Sequence, residues 1–442
     1  MTISVAQGYF TIASTLTVGQ TIDVTTDGAG NALTGFHTAA ARVVKFAWSG
    51  QGNLQSSGIN SRLGIGFATG TAARRVYASA SANGAADSRC FRQGRDDACI
   101  LRINSTDGTV AGQADYNGQV TNGFQVMVDV QFGANMIVSW EATWGDELEV
   151  AIHDFTSPAT ASNVDYNVGL ALDTGLSNKS VFIIGGTNAA FGTTADDSNV
   201  MIGAAAGDTP SNAVLLQVGK DGLPDTATFG YCLGGECLAN SIATDTINER
   251  ARVPSSSGWN STGFRLEWLE VNGTEGLLRY SALVCKGPQY AVGDILSRTD
   301  TTQTDETVGF QPLGLELYSH SNAQSTSNVS DANACASIGF ATASNSRSVA
   351  CVFDHDAQLT SNVEVSQLSD AMYAAYTSGA VQTGLMDLVD MSASGGGFTF
   401  VMDVAEGAAA YIWYLATGEA LTTSMGSALH DTAYFYGAMI EE

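Results

Sequence analysis

The 442 residues carry 44 acidic against 18 basic side chains, a net charge of −26, and only four of the cations are lysine (Lys45, Lys179, Lys220 and Lys286). That balance argues against nucleic acid or an anionic membrane surface as a partner, and no stretch reaches the roughly 18 apolar residues that would span a bilayer. A hydrophobic content of 44% suffices for packed cores, so disorder is not the expected state.

In chain order, residues 1–20 (MTISVAQGYFTIASTLTVGQ) lack the basic n-region of a secretory signal, so synthesis and first folding in a cytoplasm are expected. With Tyr9 and Phe10 this stretch is too apolar for an idle tail and is expected to be a docking arm. Gly35-Phe36 then precedes an apolar run ending in KFAWSG, followed by IGFAT at Ile65–Thr69 and a hairpin signal at Asn83-Gly84. NGFQVMVD (Asn122–Asp129) places Gly-Phe before an alternating run, and MIVSWEATWG closes the stretch at Gly145.

The same order returns twice. VGL (Val168–Leu170), MIGAAAG (Met201–Gly207), Asp221-Gly222, TGFRLEWLE (Thr262–Glu270) and LLRYSALVCKG, ending at Gly287, form a drifted middle copy. The third has Gly309-Phe310, an alternation through Leu313, Leu315 and Leu317, a second IGFAT at Ile338–Thr342, Asp356-Ala357 at the turn, GGFTFVMD (Gly396–Asp403) and YIWYLATG, ending at Gly418. From the IG glycine to the GF glycine is 57, 60 and 58 residues (66 to 123, 203 to 263, 339 to 397), and from there to the closing glycine 22, 24 and 21 (to 145, 287 and 418). Ordered anchors at such spacings read as three tandem copies of one unit of about 137 residues. Val365–Tyr376 has passable helical spacing, yet it aligns with RDDACILRI and is read as strand.

Many short strands punctuated by Gly, Asn, Asp and Ser predict an all-β chain of three antiparallel β-sandwich or jelly-roll domains. The expected divisions are an arm over 1–20, domains over 21–147, 148–287 and 288–418, and a second docking arm over 419–442 containing Tyr434, Phe435 and Tyr436. Phe124, Phe264 and Phe398 are expected in the cores, as are Trp140, Trp144, Tyr280, Trp413 and Tyr414.

Chemistry is harder to find. His37, His153, His320, His355 and His430 fall at unrelated places and share no HxH or HExxH spacing. Asp354-His355-Asp356 falls at a turn tip and is expected to be solvated; Arg95–Asp97 and Asp196-Asp197 read as loop charges, with calcium as the alternative and no EF-hand pattern to support it. Asp129 and Asp403 share one column, six residues past the GF glycine, but Leu269 fills it in the middle copy, which suits an exposed strand position better than a site. GxSxG, a phosphate-cradling glycine loop and a Cys–His pairing are not found. The seven cysteines (90, 99, 232, 237, 285, 335 and 351) form no CxxC and read as small buried residues, although Cys232 and Cys237 would close a small loop if oxidised. Sequons at Asn104, Asn178, Asn260, Asn272 and Asn328 follow from the Ser/Thr-rich composition. The expectation is a protein without catalytic, cofactor-binding or metal residues.

In the motifs GFQP, IGFAT, NGFQVMVD and YIWYLATG the chain resembles three-repeat virion structural proteins of tailed bacteriophages, many of them marine, over roughly residues 30 to 418. The resemblance implies a virion structural protein of head or tail. Because no aligned polar column carries one ionisable residue through all three copies, a non-enzymatic surface decoration or fibre-type protein is expected, assembled in the host cytoplasm. Its expected partners are other virion proteins, with a second copy of the chain and a host surface glycan as further ones. Two rival readings are a carbohydrate-binding receptor-recognition protein, because jelly rolls are common lectin scaffolds, and a polysaccharide depolymerase.

Overall fold

The computed structural model describes residues 3–173, 178–188, 190–241, 246–273, 278–323, 331–377, 381–392 and 396–420. Within them the chain is all-β, with no helix, and so no helix long and apolar enough to cross a membrane. The first stretch forms β1 (Ile3–Ile12), β2 (Thr21–Val24), β3 (Ala41–Trp48), β4 (Ser56–Ile59), β5 (Gly64–Gly70), β6 (Ala73–Ser81), β7 (Cys90–Arg95), β8 (Ile100–Ile103), β9 (Val110–Val120), β10 (Gly123–Val130) and β11 (Met136–Gly145). The second forms β12 (Glu149–Thr156), β13 (Asn163–Asn167), β14 (Lys179–Asn188), β15 (Ala195–Asp196), β16 (Ser198–Ala206), β17 (Ser211–Lys220), β18 (Ala227–Gly234), β19 (Leu238–Asn240), β20 (Glu249–Arg252), β21 (Trp259–Asn260), β22 (Gly263–Glu270) and β23 (Leu278–Lys286). The third forms β24 (Gln289–Leu296), β25 (Thr304–Thr307), β26 (Gln311–Ser319), β27 (Asp331–Ala332), β28 (Ala334–Ala343), β29 (Ser346–Asp354), β30 (Val363–Leu368), β31 (Tyr373–Thr377), β32 (Val381–Asp390), β33 (Gly397–Val404) and β34 (Tyr411–Glu419).

These strands make three seven-stranded sheets, each backed by a smaller one. The large sheets run β1-β11-β3-β5-β6-β7-β15, β12-β23-β14-β16-β17-β18-β27 and β24-β34-β26-β28-β29-β30-β4; their partners run β2-β10-β9-β8, β13-β22-β20-β19 and β25-β33-β32-β31. The last strand of each large sheet comes from a different stretch of chain. β15 adds to β7, β27 to β18 and β4 to β30, all antiparallel, so the three sandwiches are closed into a ring. Each addition satisfies backbone groups that an edge strand would otherwise expose.

Residues 3–12, expected as an arm, are a strand of the first large sheet. They form β1, paired with β11 along all ten residues from Ile3↔Gly145 to Ile12↔Met136, where Phe10 packs edge-on against Phe46. The strand also reaches the third sandwich, where Gln7 donates to Ser346 (2.9 Å) and accepts from Ser348 (3.1 Å). The expected C-terminal arm lies outside the described residues from 421 onward; Glu419 belongs to β34.

The large sheets are covered on both faces. One face packs on the smaller sheet, and the other joins a central core shared by all three, with Phe67 and Tyr77 from the first, Phe182 and Ile202 from the second, and Tyr318 and Phe340 from the third. Hence every residue of β11 is buried, whereas β10 in a small sheet alternates, burying Phe124, Val126 and Val128. Phe264, Phe398, Trp140, Trp144, Tyr280, Trp413 and Tyr414 are buried too.

The recurring glycines have a steric cause. A Cβ on Gly66, Gly203 or Gly339 would collide with the carbonyl of Cys99, Cys237 or Met372, where the small sheet crosses the large one. All seven cysteines are buried and none forms a disulfide, Cys232 and Cys237 included.

Candidate functional site

Polar side chains gather at three places: a ring of turns, the centre of the shared core, and the small sheets of the first and third sandwiches. In the ring, Gly84 (φ 73°), Gly222 (φ 70°) and Ala357 (φ 53°) take left-handed turn conformations. Each turn docks on the next sandwich. Ser88 N–H donates to Leu223 O (2.9 Å) and Gly222 N–H to Ser88 O (2.8 Å); Thr226 N–H donates to Gln358 O (3.0 Å) and Ala357 N–H to Thr226 O (2.8 Å); Ser361 N–H donates to Ala85 O (3.1 Å) and Gly84 N–H to Ser361 O (2.7 Å). The three hydroxyls repeat the pattern, accepting from Leu223 N–H (3.0 Å), Gln358 N–H (2.9 Å) and Ala85 N–H (3.0 Å).

Side-chain caps complete it. Asn83, Asp221 and Asp356 accept from the N–H of Val363 (2.7 Å), Cys90 (2.8 Å) and Thr228 (2.9 Å). Their own N–H groups donate to Asn60 (2.8 Å), Asp197 (2.8 Å) and Asn333 (3.0 Å), all at positive φ, as Asn and Asp tolerate. Asp354-His355-Asp356 is therefore not a solvated tip. Its turn is locked into the second sandwich, and burial lifts the Asp354 carboxyl to about 7. Nor are Asp196 and Asp197 free loop charges: Asp196 lies in β15 opposite Phe91, and Asp197 caps Asp221.

At the centre, Lys45, Phe182 and Glu316 occupy corresponding places, each paired with the residue after an IG glycine (Phe67, Ala204 and Phe340). Lys45 forms a buried ion pair with Glu316, lies 4.3 Å from the Phe182 ring centroid, and shares Glu316 with the Tyr318 hydroxyl (2.6 Å). Burial alone would lower the Lys45 ammonium pKa, but Glu316 and Glu141 reverse this and leave it raised. Burial, then Glu316, holds the Glu141 carboxyl well above its usual range, with Lys45 opposing the rise.

Asp129 and Asp403 are not plain exposed strand positions. With Leu269 they are the extra residues of β-bulges, between Val128 and Val130, Trp268 and Glu270, and Met402 and Val404. The bulge brings Asp129 onto Asp115, which is paired with Arg74 (2.8 Å), and Asp403 onto Asp387, paired with Arg347 (2.7 Å). Burial and Asp129 raise Asp115 to about 8; burial raises Asp387 to about 7, with Asp403 raising and Arg347 lowering it. In the second sandwich Asn212, Arg252 and Leu269 stand at these positions, and Arg252 pairs with Glu267 (2.7 Å).

Arg95 pairs with Asp97 (2.7 Å) at the surface, and no group of three or more His, Cys, Asp or Glu able to hold a metal occurs among the described residues. His37 accepts from Asn122 N–H (3.3 Å), His320 is buried and accepts from Asn322 N–H (3.2 Å), and burial lowers the His153 pKa. His430 lies outside the described residues. No protein-family model and no curated protein matches the chain. Sequence reading missed the Asn60/Asp197/Asn333 and Ser88/Thr226/Ser361 columns. Their signal was constant distance from the IG glycine: six before it for the first, and 22, 23 and 22 after it for the second.

Proposed function

We propose that the protein is a non-enzymatic structural component of a tailed-bacteriophage virion, a decoration or fibre-type surface protein built from three tandem copies of one jelly-roll-type unit. One observation carries this reading: the cyclic exchange of β4, β15 and β27, reinforced by the turn ring, makes one chain imitate a trimer. Such a body suits a local or true threefold position on a symmetric particle, where a single copy stands in for three subunits.

The test is a density map of assembled particles with the protein labelled. It is expected on the particle surface, one chain at each threefold position. Absence from particles, or a hydrolytic activity on host polysaccharide abolished by one acidic substitution, overturns the proposal.

A further inference from the structure

In a chain of net charge −26, two arginines stand together without a carboxylate. Arg62, just before β5, and Arg102, in β8, face one groove of about 510 Å³. The Arg62 side chain makes no hydrogen bond or ion pair among the described residues, and Arg102 makes one, to the Ala134 carbonyl (3.3 Å). The Nε of each is buried without a partner, and Arg102 is 7% exposed. Burial lowers both guanidinium pKa values, Arg102 to about 10 with Arg62 as the second cause, and no acidic group offsets either. Leaving two like charges largely buried and unpaired is costly unless something else meets them.

The scaffold does not need them. Arg62 lies four residues before Gly66, and Arg102 three after Cys99, whose carbonyl packs on that glycine. The corresponding pairs are Asn199 with Asn240, buried and hydrogen-bonded to each other, and Cys335 with Ala375, both buried. The same crossing of sheets is thus filled twice without charge. The groove is also kept open by missing side chains: a Cβ at Gly50 (φ 91°) would lie 2.7 Å from the Arg62 Cβ, and one at Gly52 would lie 2.9 Å from the Asn135 carbonyl oxygen.

We propose that Arg62 and Arg102 form a binding site for a divalent tetrahedral oxyanion, sulfate or phosphate, free or as an ester on a larger polar molecule. Two guanidinium forks match the oxygens of such an anion, and its charge removes their mutual repulsion. Gly58 and Ile59 of β4 also line the groove, so the bound anion would brace the segment that closes the ring onto β30.

Equilibrium dialysis of the full chain against labelled inorganic sulfate, then phosphate, at constant ionic strength tests this. One saturable anion per chain is expected, weakened at least about tenfold in R62N/R102N, which installs the second sandwich's pair. No saturable binding, or binding undiminished in that variant, overturns the proposal. If the double variant does not fold, R62N at the less buried position is expected to weaken binding similarly, and undiminished binding there also overturns it. N-acetylglucosamine 6-sulfate competing at least as well as inorganic sulfate, with unsulfated sugar inert, assigns the site to an ester; competition by inorganic anion alone assigns it to the free ion.

Discussion

The turn ring and the centre of the shared core join the same three stretches of chain under opposite rules. In the ring each turn meets a different element of its neighbour, so Ser88, Thr226 and Ser361 can keep one chemistry and make one bond pattern three times. At the centre the corresponding residues meet one another. Three lysines or three glutamates there would repel in a dry core; Lys45, Phe182 and Glu316 instead form an ion pair and a cation–π contact. A homotrimer could not place three different residues on its axis. Joining the stretches in one chain allows the centre to be asymmetric while the rim stays regular.

The largest expected effect breaks the centre. Lys45→Met leaves Glu316 buried without its cation and should cost about 3–5 kcal/mol by denaturant unfolding, while K45M/E316L should recover most of it. A single-variant cost near zero would mean that the pair does not organise the core. Next come the glycine columns, where the three sandwiches should respond alike: Gly66→Ala, Gly203→Ala and Gly339→Ala each drive a methyl into a carbonyl, for about 1–3 kcal/mol or more. Unequal costs would show that one sheet crossing is looser than the others.

Paired aspartates separate the first and third sandwiches from the second. Asp115 (about 8), Asp387 (about 7) and Asp354 (about 7) sit above their unfolded value of about 4, so the folded state holds more protons between those limits. Their stabilisation is full below about pH 4 and is lost as pH rises through 7 to 8. Asp129→Asn with Asp403→Asn should flatten that decline, which is on the order of 1 kcal/mol once the partial exposure of both pairs is discounted. Thermal melts from pH 5 to 8 read it, and an unchanged slope would show that Asp129 and Asp403 do not raise their neighbours. Smallest are the ring hydroxyls: Ser88→Ala, Thr226→Val and Ser361→Ala should each cost about 1 kcal/mol, equally. One residue dominating would show that the ring is not regular.

Local chemistry was legible in the residues themselves. Asn83-Gly84 and Asp221-Gly222 announced their turns because positive φ selects such residues, and the GF and IG anchors marked strands whose close approach excludes a side chain. The alternating runs after Gly123, Gly263 and Gly397 also announced their strands, since one face of each small sheet meets solvent. Tertiary structure alone decided the rest. Burial on both faces of the large sheets erased the alternation in β11, and β1 reads as a separate arm until β11 lies beside it. Asp129 acts on Asp115 only because a bulge turns it that way, and β4, β15 and β27 are too short to signal where they dock. Turn and strand preferences act between neighbours in sequence, whereas Lys45 with Glu316 and Arg62 with Arg102 are charges whose meaning depends on which distant residue the fold brings against them.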